Sequence, residues 1–80
     1  MTEYFTKNEL PIIGTKVKAL REFSGIPEGT IGVIVGFYQH DAHYDTIFYG
    51  VDIRWNRWEN DRLIDGFSKG EYLAYLQELS

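Results

Sequence analysis

The residues best suited to chemistry are two histidines and two aspartates that lie within six positions of one another. The run reads His40-Asp41-Ala42-His43-Tyr44-Asp45. Imidazole and carboxylate groups are common metal ligands, and one loop could supply three of them. The spacing matches no established ligand pattern, and no second cluster offers a fourth ligand. We therefore favour a solvated loop, with His40 and His43 kept as candidate metal ligands.

A second run combines two arginines with two tryptophans, in the order Arg54-Trp55-Asn56-Arg57-Trp58. Trp and Arg are favoured anchors at protein interfaces, and the same pair can stack on unpaired bases. The structural alternative places Trp55 in the core and Trp58 as a lid over a neighbouring strand. We expect Trp55 in the core and take Arg54, Arg57 and Trp58 as candidate partner-binding residues.

Aromatic side chains flank the polar histidine run on both sides. They are Phe37, Tyr38, Tyr44, Phe48 and Tyr49. Because successive strand residues point to opposite faces, a single core cannot bury all of them. They would form either a binding patch or cross-strand pairs that stabilise a long hairpin. We assign Phe37 and Phe48 to structure, and Tyr38 and Tyr49 to a partner-binding surface.

The charge balance disfavours binding to a phosphate backbone as the main activity. Eight basic and 12 acidic side chains give a net charge of −4 and a pI near 5.0, whereas such binding depends on clustered Lys and Arg. A basic strand face with Lys16 and Lys18, joined by Arg54 and Arg57, is nevertheless the candidate nucleic-acid surface. Its alternative is a solvated outer face that discourages edge-to-edge pairing.

The sequence contains no other motif that indicates catalysis or a particular cellular compartment. It shows no Gly-rich phosphate cradle, nucleophile elbow or paired-carboxylate arrangement, so we predict that the protein is not an enzyme and needs no cofactor. It contains no cysteine, which excludes disulfides and thiolate metal sites. The start of the chain does not resemble a signal peptide, and no window resembles a membrane span. We expect a cytoplasmic protein.

The elements that must position these residues are organised around a bend followed by a strand, Ile26 to Tyr38. Pro27-Glu28-Gly29 predicts a tight bend. The following β-rich run predicts a strand with Ile31, Val33, Val35 and Phe37 on one face, and with Gly32 and Gly36 on the other. Glycine there lets the strand bend or lets another chain segment approach closely. A strongly bent central strand is typical of a small closed barrel.

The remaining patterns give about four further elements. In residues 15–20 polar and apolar residues alternate, which predicts a strand with Val17 and Ala19 facing inward. Residues 39–44 are predicted to be a loop, and residues 45–55 a strand with a bulge at Gly50. Residues 62–64 are predicted to be a short closing strand, followed by a turn at Asp65-Gly66. Ser68 and Glu71 form a capping box. A C-terminal amphipathic helix follows, whose apolar face is Tyr72, Tyr75, Leu76 and Leu79.

Three segments resemble those of an SH3-like barrel: residues 14–18, 27–34 and 51–55. The middle one, Pro-x-Gly-Thr-x-Gly followed by an apolar residue, resembles small bacterial SH3-like domains, the KOW element of ribosomal and transcription-elongation proteins, and small barrel subunits of ferredoxin-dependent complexes. The resemblance implies a barrel of about five strands. KOW domains that bind nucleic acid are usually basic, whereas this chain is acidic. Peptide-binding SH3 domains carry an aromatic-acidic signature in their first long loop, whereas residues 23–27 here contain one aromatic, Phe23. The resemblance therefore implies neither nucleic-acid binding nor recognition of proline-rich ligands.

We therefore predict one mainly β domain, a small SH3-like barrel with a C-terminal α-helix. Its parts are an N-terminal lead-in over residues 1–13, a barrel over 14–66 and a helix over 67–80. We predict a non-catalytic binding or adaptor module that meets a protein through Tyr38, Tyr49, Arg54, Arg57 and Trp58. Nucleic-acid binding is the alternative, and metal binding comes third.

Overall fold

Five antiparallel strands form one sheet in the order β4-β3-β2-β1-β5. A computed structural model describes residues 3–22, 25–43, 46–56 and 64–79. The elements in chain order are a 3-10 turn (Lys7–Glu9), β1 (Lys16–Ala19), β2 (Ile31–His43), β3 (Thr46–Trp55), β4 (Ile64–Phe67), α1 (Lys69–Tyr75) and β5 (Leu76–Glu78). The prediction of a mainly β chain with a C-terminal helix is confirmed.

The sheet is open and does not close into the barrel that the sequence predicted. Strands β4 and β5 are the two outer strands of the sheet. Closure would require hydrogen bonds between them. Instead α1 follows β4 and leads directly into β5, which pairs with β1.

The core lies on one face of this sheet, under α1 and the N-terminal segment. Val17 and Ala19 of β1, and Val51, Ile53 and Trp55 of β3, are buried there as the alternation predicts. Ile26, in the segment between β1 and β2, is also buried. Burying a large aliphatic or aromatic side chain contributes about 1.5–3 kcal/mol, so burial along β1 and β3 is a major source of stability.

The bend before β2 forms as predicted. Thr30 donates to the carbonyl of Pro27 through both its amide, at 3.2 Å, and its hydroxyl, at 2.7 Å. Gly29 sits at the third position of this turn with φ of 88°, a backbone conformation that favours glycine. The turn brings β2 back alongside β1, where Lys16 pairs with Val33.

Strand β2 is longer and more irregular than its sequence pattern indicates. It continues through residues 39–43, which were predicted to be a loop. Its pairing with β3 slips at two places, between Ile34 and Gly36 and between Gln39 and Ala42. The bulge therefore lies at Val35 in β2 and not at Gly50 in β3. Because a bulge inserts one extra residue, Phe37 faces the opposite side from Val33.

The C-terminal segment begins as predicted but changes character midway. Ser68 accepts a hydrogen bond from the Glu71 amide at 3.2 Å, and Glu71 accepts one from the Ser68 amide at 3.0 Å. The helix ends at Tyr75, and Leu76 adopts an extended conformation. Asp65 and Gly66, predicted as a turn, lie within β4. The helix is shorter than predicted because residues 76–78 pair with β1.

The N-terminal segment is part of the folded unit. Phe5 is buried in the core and exchanges two backbone hydrogen bonds with Tyr49 of β3, at 2.9 and 2.8 Å. Leu10 packs against the core, whereas Ile12 is 78% exposed. Lys69 at the start of α1 pairs with Glu9 at 2.7 Å. These contacts fix residues 3–10 across β3 and α1.

Candidate functional site

The open face of the sheet, opposite the core, carries a row of four side chains across four strands. Lys16 on β1 is paired with Val33 on β2, Val33 with Arg54 on β3, and Arg54 with Ile64 on β4. Directly paired residues of an antiparallel sheet share a face. The result is a row in which cationic and apolar residues alternate, which we call the cross-strand row: Lys16, Val33, Arg54 and Ile64.

Strand alternation explains why these residues face outward. Val17 of β1 and the flanking pair Ile53 and Trp55 of β3 are buried in the core. Their neighbours Lys16 and Arg54 must therefore point to the other face. Both are exposed, and Val33 between them is half-buried.

A small open cleft lies along the same row. Its volume is about 210 Å³, and Lys16, Ile31, Val33 and Arg54 are among the residues that line it. The aliphatic side chains supply an apolar wall between two cationic ends. The structure thus places Lys16 and Arg54, both assigned to the alternative nucleic-acid surface, along one cleft with apolar residues that were not predicted for it.

Among the described residues, two basic side chains away from this face have a partner, whereas the cations of this face form no ion pair. Lys69 pairs with Glu9, and the Arg21 guanidinium lies 5.2 Å from the centre of the Tyr75 ring. Within residues 3–22, 25–43, 46–56 and 64–79, Lys16, Lys18 and Arg54 make no ion pair. Lys18 lies on the same face, paired with Ile31 of β2 and Gln77 of β5.

Trp55 anchors the C-terminal end of β3, next to Arg54, in the core and to β4. It is 1% exposed, and its indole Nε1 donates to Asp65 Oδ2 of β4 at 2.9 Å. A Cβ on Gly32 would lie 2.8 Å from Trp55 Cε3, too close for any other residue to fit without movement. The expectation that Trp55 belongs to the core is confirmed, and its packing fixes the adjacent Arg54 backbone.

The predicted aromatic patch is less exposed than the sequence suggested. Tyr38 and Tyr49, expected on the surface, are both half-buried, as are Phe37 and Phe48. Tyr49 packs against the core. Tyr38 lies on the open face, where partial burial, followed by the nearby ionisable groups of Tyr4, Glu71 and Asp52, raises its pKa.

The two histidines do not gather a ligand set in the described part of the chain. His40 is exposed, and its ring stacks on Tyr4 with the centroids 3.8 Å apart and the planes 11° from parallel. Among the described residues, no group of three His, Cys, Asp or Glu side chains is placed to hold a metal. His43 is placed only by its backbone, in β2.

Two of the predicted site residues, Arg57 and Trp58, lie outside the described residues. Conversely, Ile31, Val33 and Ile64 belong to the open face but were not predicted as site residues. The strand pairing identifies them as members of this face. It places Ile31 beside Lys18 and Val33 beside Lys16. It also places Ile64 beside Arg54. A single strand read alone does not contain that information.

Comparison with protein-family models, with curated proteins and with solved structures finds no match to this chain. None of the helices in the described residues has the length and apolar character needed to cross a membrane. The function must therefore be inferred from the open face itself.

Proposed function

We propose that the protein is a non-catalytic binding module whose open face receives a protein partner. The observation that carries the proposal is the cross-strand row, in which Lys16 and Arg54 stand on either side of Val33 along a small cleft. Exposed cations beside an apolar wall offer a partner both charge complementarity and burial. Arg is also enriched among the residues that dominate binding energy at protein interfaces.

The size and composition of the face support a protein partner over a small-molecule substrate. Pockets for drug-sized ligands are commonly about 300–1,000 Å³, and this cleft, at about 210 Å³, is smaller. Around it lie further side chains able to contact a partner, among them Lys18 and the 52% exposed Ile64. A broad shallow surface of this kind suits a macromolecule.

We also propose an SH3-like relationship for the fold, of the small bacterial kind with a KOW-like bend. Supporting it are the turn at Pro27–Thr30, the antiparallel succession β1 to β4, and the return of β5 to β1. In the described residues β4 and β5 do not pair with each other, which distinguishes this sheet from a closed barrel. We also propose a cytoplasmic location.

The test is a selection of random peptides displayed on phage against the immobilised protein. Peptides recovered on the wild type are then measured against Arg54→Glu and Lys7→Glu. The second variant is the matched control, because Lys7 is also exposed and the charge change is identical, but it lies on the 3-10 turn. Thermal unfolding confirms that both variants are folded.

We expect the selected peptides to bind Arg54→Glu at least about tenfold more weakly, a loss of about 1.4 kcal/mol, and to bind Lys7→Glu as they bind the wild type. Peptides that bind both variants equally well would place the binding surface elsewhere. Failure to enrich any peptide would also count against a protein-binding face.

Nucleic-acid binding is the second candidate function, favoured by one observation. Lys16, Lys18 and Arg54 share a face and make no ion pair within the described residues. Three phosphate contacts on a single strand predict a plot of log K against log salt with a slope of about −2. A labelled oligothymidine that shows no binding at low salt would exclude this candidate.

A further inference from the structure

The spacing of the cross-strand row specifies the kind of protein segment that would fit it. Neighbouring strands lie about 4.8 Å apart, so Lys16 and Arg54, two strands apart, are separated by about 10 Å across the sheet. Ile64 lies one further strand away, beyond Arg54. The row therefore has one position per strand, and cationic and apolar residues alternate from each strand to the next.

An α-helix has nearly the same repeat along its surface. Its pitch is about 5.4 Å, and residues i, i+4, i+7 and i+11 lie along one face at about one turn each. A helix lying across the strands would place one side chain over each member of the row. Charge complementarity then requires acidic residues over Lys16 and Arg54 and apolar residues over Val33 and Ile64.

We propose that the open face binds an amphipathic helix of a partner protein that carries an acidic–apolar–acidic–apolar stripe at positions i, i+4, i+7 and i+11. This rests on the proposed protein-binding function and adds the chemistry of the partner. The cleft of about 210 Å³ receives the first apolar side chain, against Ile31 and Val33. The two carboxylates pair with Lys16 and Arg54, which have no other ion partner among the described residues.

A nucleic acid is a poorer occupant of this row. Binding to unpaired bases relies on aromatic side chains on which the bases stack. Among the described residues, the aromatic side chain beside Arg54 is Trp55, and it is 1% exposed. The apolar members of the row, Val33 and Ile64, offer a phosphate backbone nothing to bind.

The probe is a fluorescent synthetic peptide of about 15 residues, a length at which isolated helices begin to be stable. It carries Glu at i and i+7 and Leu at i+4 and i+11, on an Ala and Gln background. One control peptide replaces both Glu by Gln. A second control has the same composition but moves both Glu to the opposite helix face.

Fluorescence anisotropy is measured with the wild type, with the double variant Lys16→Glu/Arg54→Glu and with the single variant Lys7→Glu. We expect the stripe peptide to bind the wild type and Lys7→Glu equally, and both controls to bind at least about tenfold more weakly. A peptide with Lys at i and i+7 should reverse the preference and bind the double variant best. This charge swap separates a direct contact from an unfolded variant.

Equal binding of the stripe peptide and its displaced-Glu control would overturn the helix geometry. No binding of the stripe peptide, alongside phage-selected peptides that depend on Arg54 but lack the stripe, would overturn this inference and leave the proposed function intact. Loss of Arg54 dependence in both experiments would overturn both. Oligothymidine binding without stripe-peptide binding would assign the row to nucleic acid and also overturn the inference.

Discussion

Tyr38 lies directly opposite Gly50 in the β2–β3 ladder, and its ring occupies the space that a side chain on Gly50 would need. The same ring lies over Gly66 of β4, where an added Cβ would be 3.0 Å from Tyr38 Cε2. An aromatic side chain that covers glycines on adjacent strands compensates for their missing packing. Tyr38 therefore has a structural role that a site prediction alone does not capture.

Gly50→Ala should destabilise the protein by about 1–3 kcal/mol, since the new methyl group forces the Tyr38 ring out of its place. Urea unfolding followed by tryptophan fluorescence measures the change. The matched control is Gly36→Ala, where the new Cβ would meet only Asp52 Oδ2 at an ordinary 3.8 Å. Equal losses for the two variants would show that the Tyr38 ring does not constrain this position.

Ser68→Ala should cost about 1 kcal/mol, because the amide of Glu71 loses its acceptor at the start of α1. Urea unfolding again gives the free energy. Glu71→Gln serves as control, since its amide oxygen can still accept from the Ser68 amide. A loss in Glu71→Gln as large as in Ser68→Ala would mean that charge at the helix start matters more than the hydrogen bonds.

Glu9 should make stability fall as the solution is acidified. Its hydrogen bond with Lys69, assisted by the Thr6 amide and hydroxyl, lowers its pKa from 4.5 to about 2. The carboxylate is thus favoured by folding, so its contribution is present above pH 4.5 and is lost as the pH falls towards 2. Glu9→Gln should be less stable than the wild type at neutral pH, and the two should converge near pH 2.

Because Glu9 is exposed, the difference between these proteins should also shrink as salt is added. The midpoint of urea unfolding, measured across pH and salt, tests both statements. A gap between the two proteins that persists at low pH would assign the effect to something other than ionisation.

Tyr72→Phe should cost about 1 kcal/mol, since it removes a hydrogen bond to Glu78 Oε2 of 2.7 Å while water can still reach the exposed Glu78. Burial, and then the Glu78 carboxylate, raises the pKa of Tyr72 above its ordinary 10.0. Folding thus favours the protonated phenol. This contribution is fully present below pH 10.0 and is lost as the pH rises above it.

Above pH 10.0 the free energy of unfolding should therefore fall less steeply with rising pH in Tyr72→Phe than in the wild type. Tyr75→Phe is the control, as Tyr75 neighbours Tyr72 on α1 but is only half-buried. Phenolate absorbance during an alkaline titration provides a second readout. Ionisation of Tyr72 at its ordinary pKa of 10.0 would contradict the expected increase.

The strands were predictable where local pattern and final burial agree. In β1 and in residues 51–55 of β3 polar and apolar residues alternate, so Val17, Ile53 and Trp55 could be assigned to the core from the sequence. The cap at Ser68 was equally clear, because its hydrogen bonds join residues only three positions apart. Interactions between residues close in sequence can therefore be predicted from a short sequence pattern.

The errors arose where pairing between distant segments overrides the local pattern. The bulge at Val35 shifts the faces of β2, and nothing in its apolar run marks the inserted residue. The apolar spacing of Tyr72, Tyr75 and Leu76 fits a longer helix, yet Leu76 joins β5 because β1 offers an unpaired edge. Open or closed geometry likewise depends on pairing between strands.

The cationic members of the candidate site were predictable from the sequence, but its apolar members were not. Lys16 and Arg54 were grouped in the alternative nucleic-acid surface on account of their charge and strand position, whereas only Arg54 was assigned to the protein-binding surface. What joins them is Val33, which is their common neighbour in the ladder. That relationship is set by the turn at Gly29 and by the register that it imposes.

The pairing of β1 with β5 also bears on how the chain is made by the ribosome. Strand β1 is synthesised early, but the strand that covers its outer side, Leu76–Glu78, emerges only after α1. Until then the nascent chain presents an incomplete sheet to chaperones and to other chains. Released fragments that end before Leu76 should consequently be degraded by proteases far faster than the chain of residues 1–80.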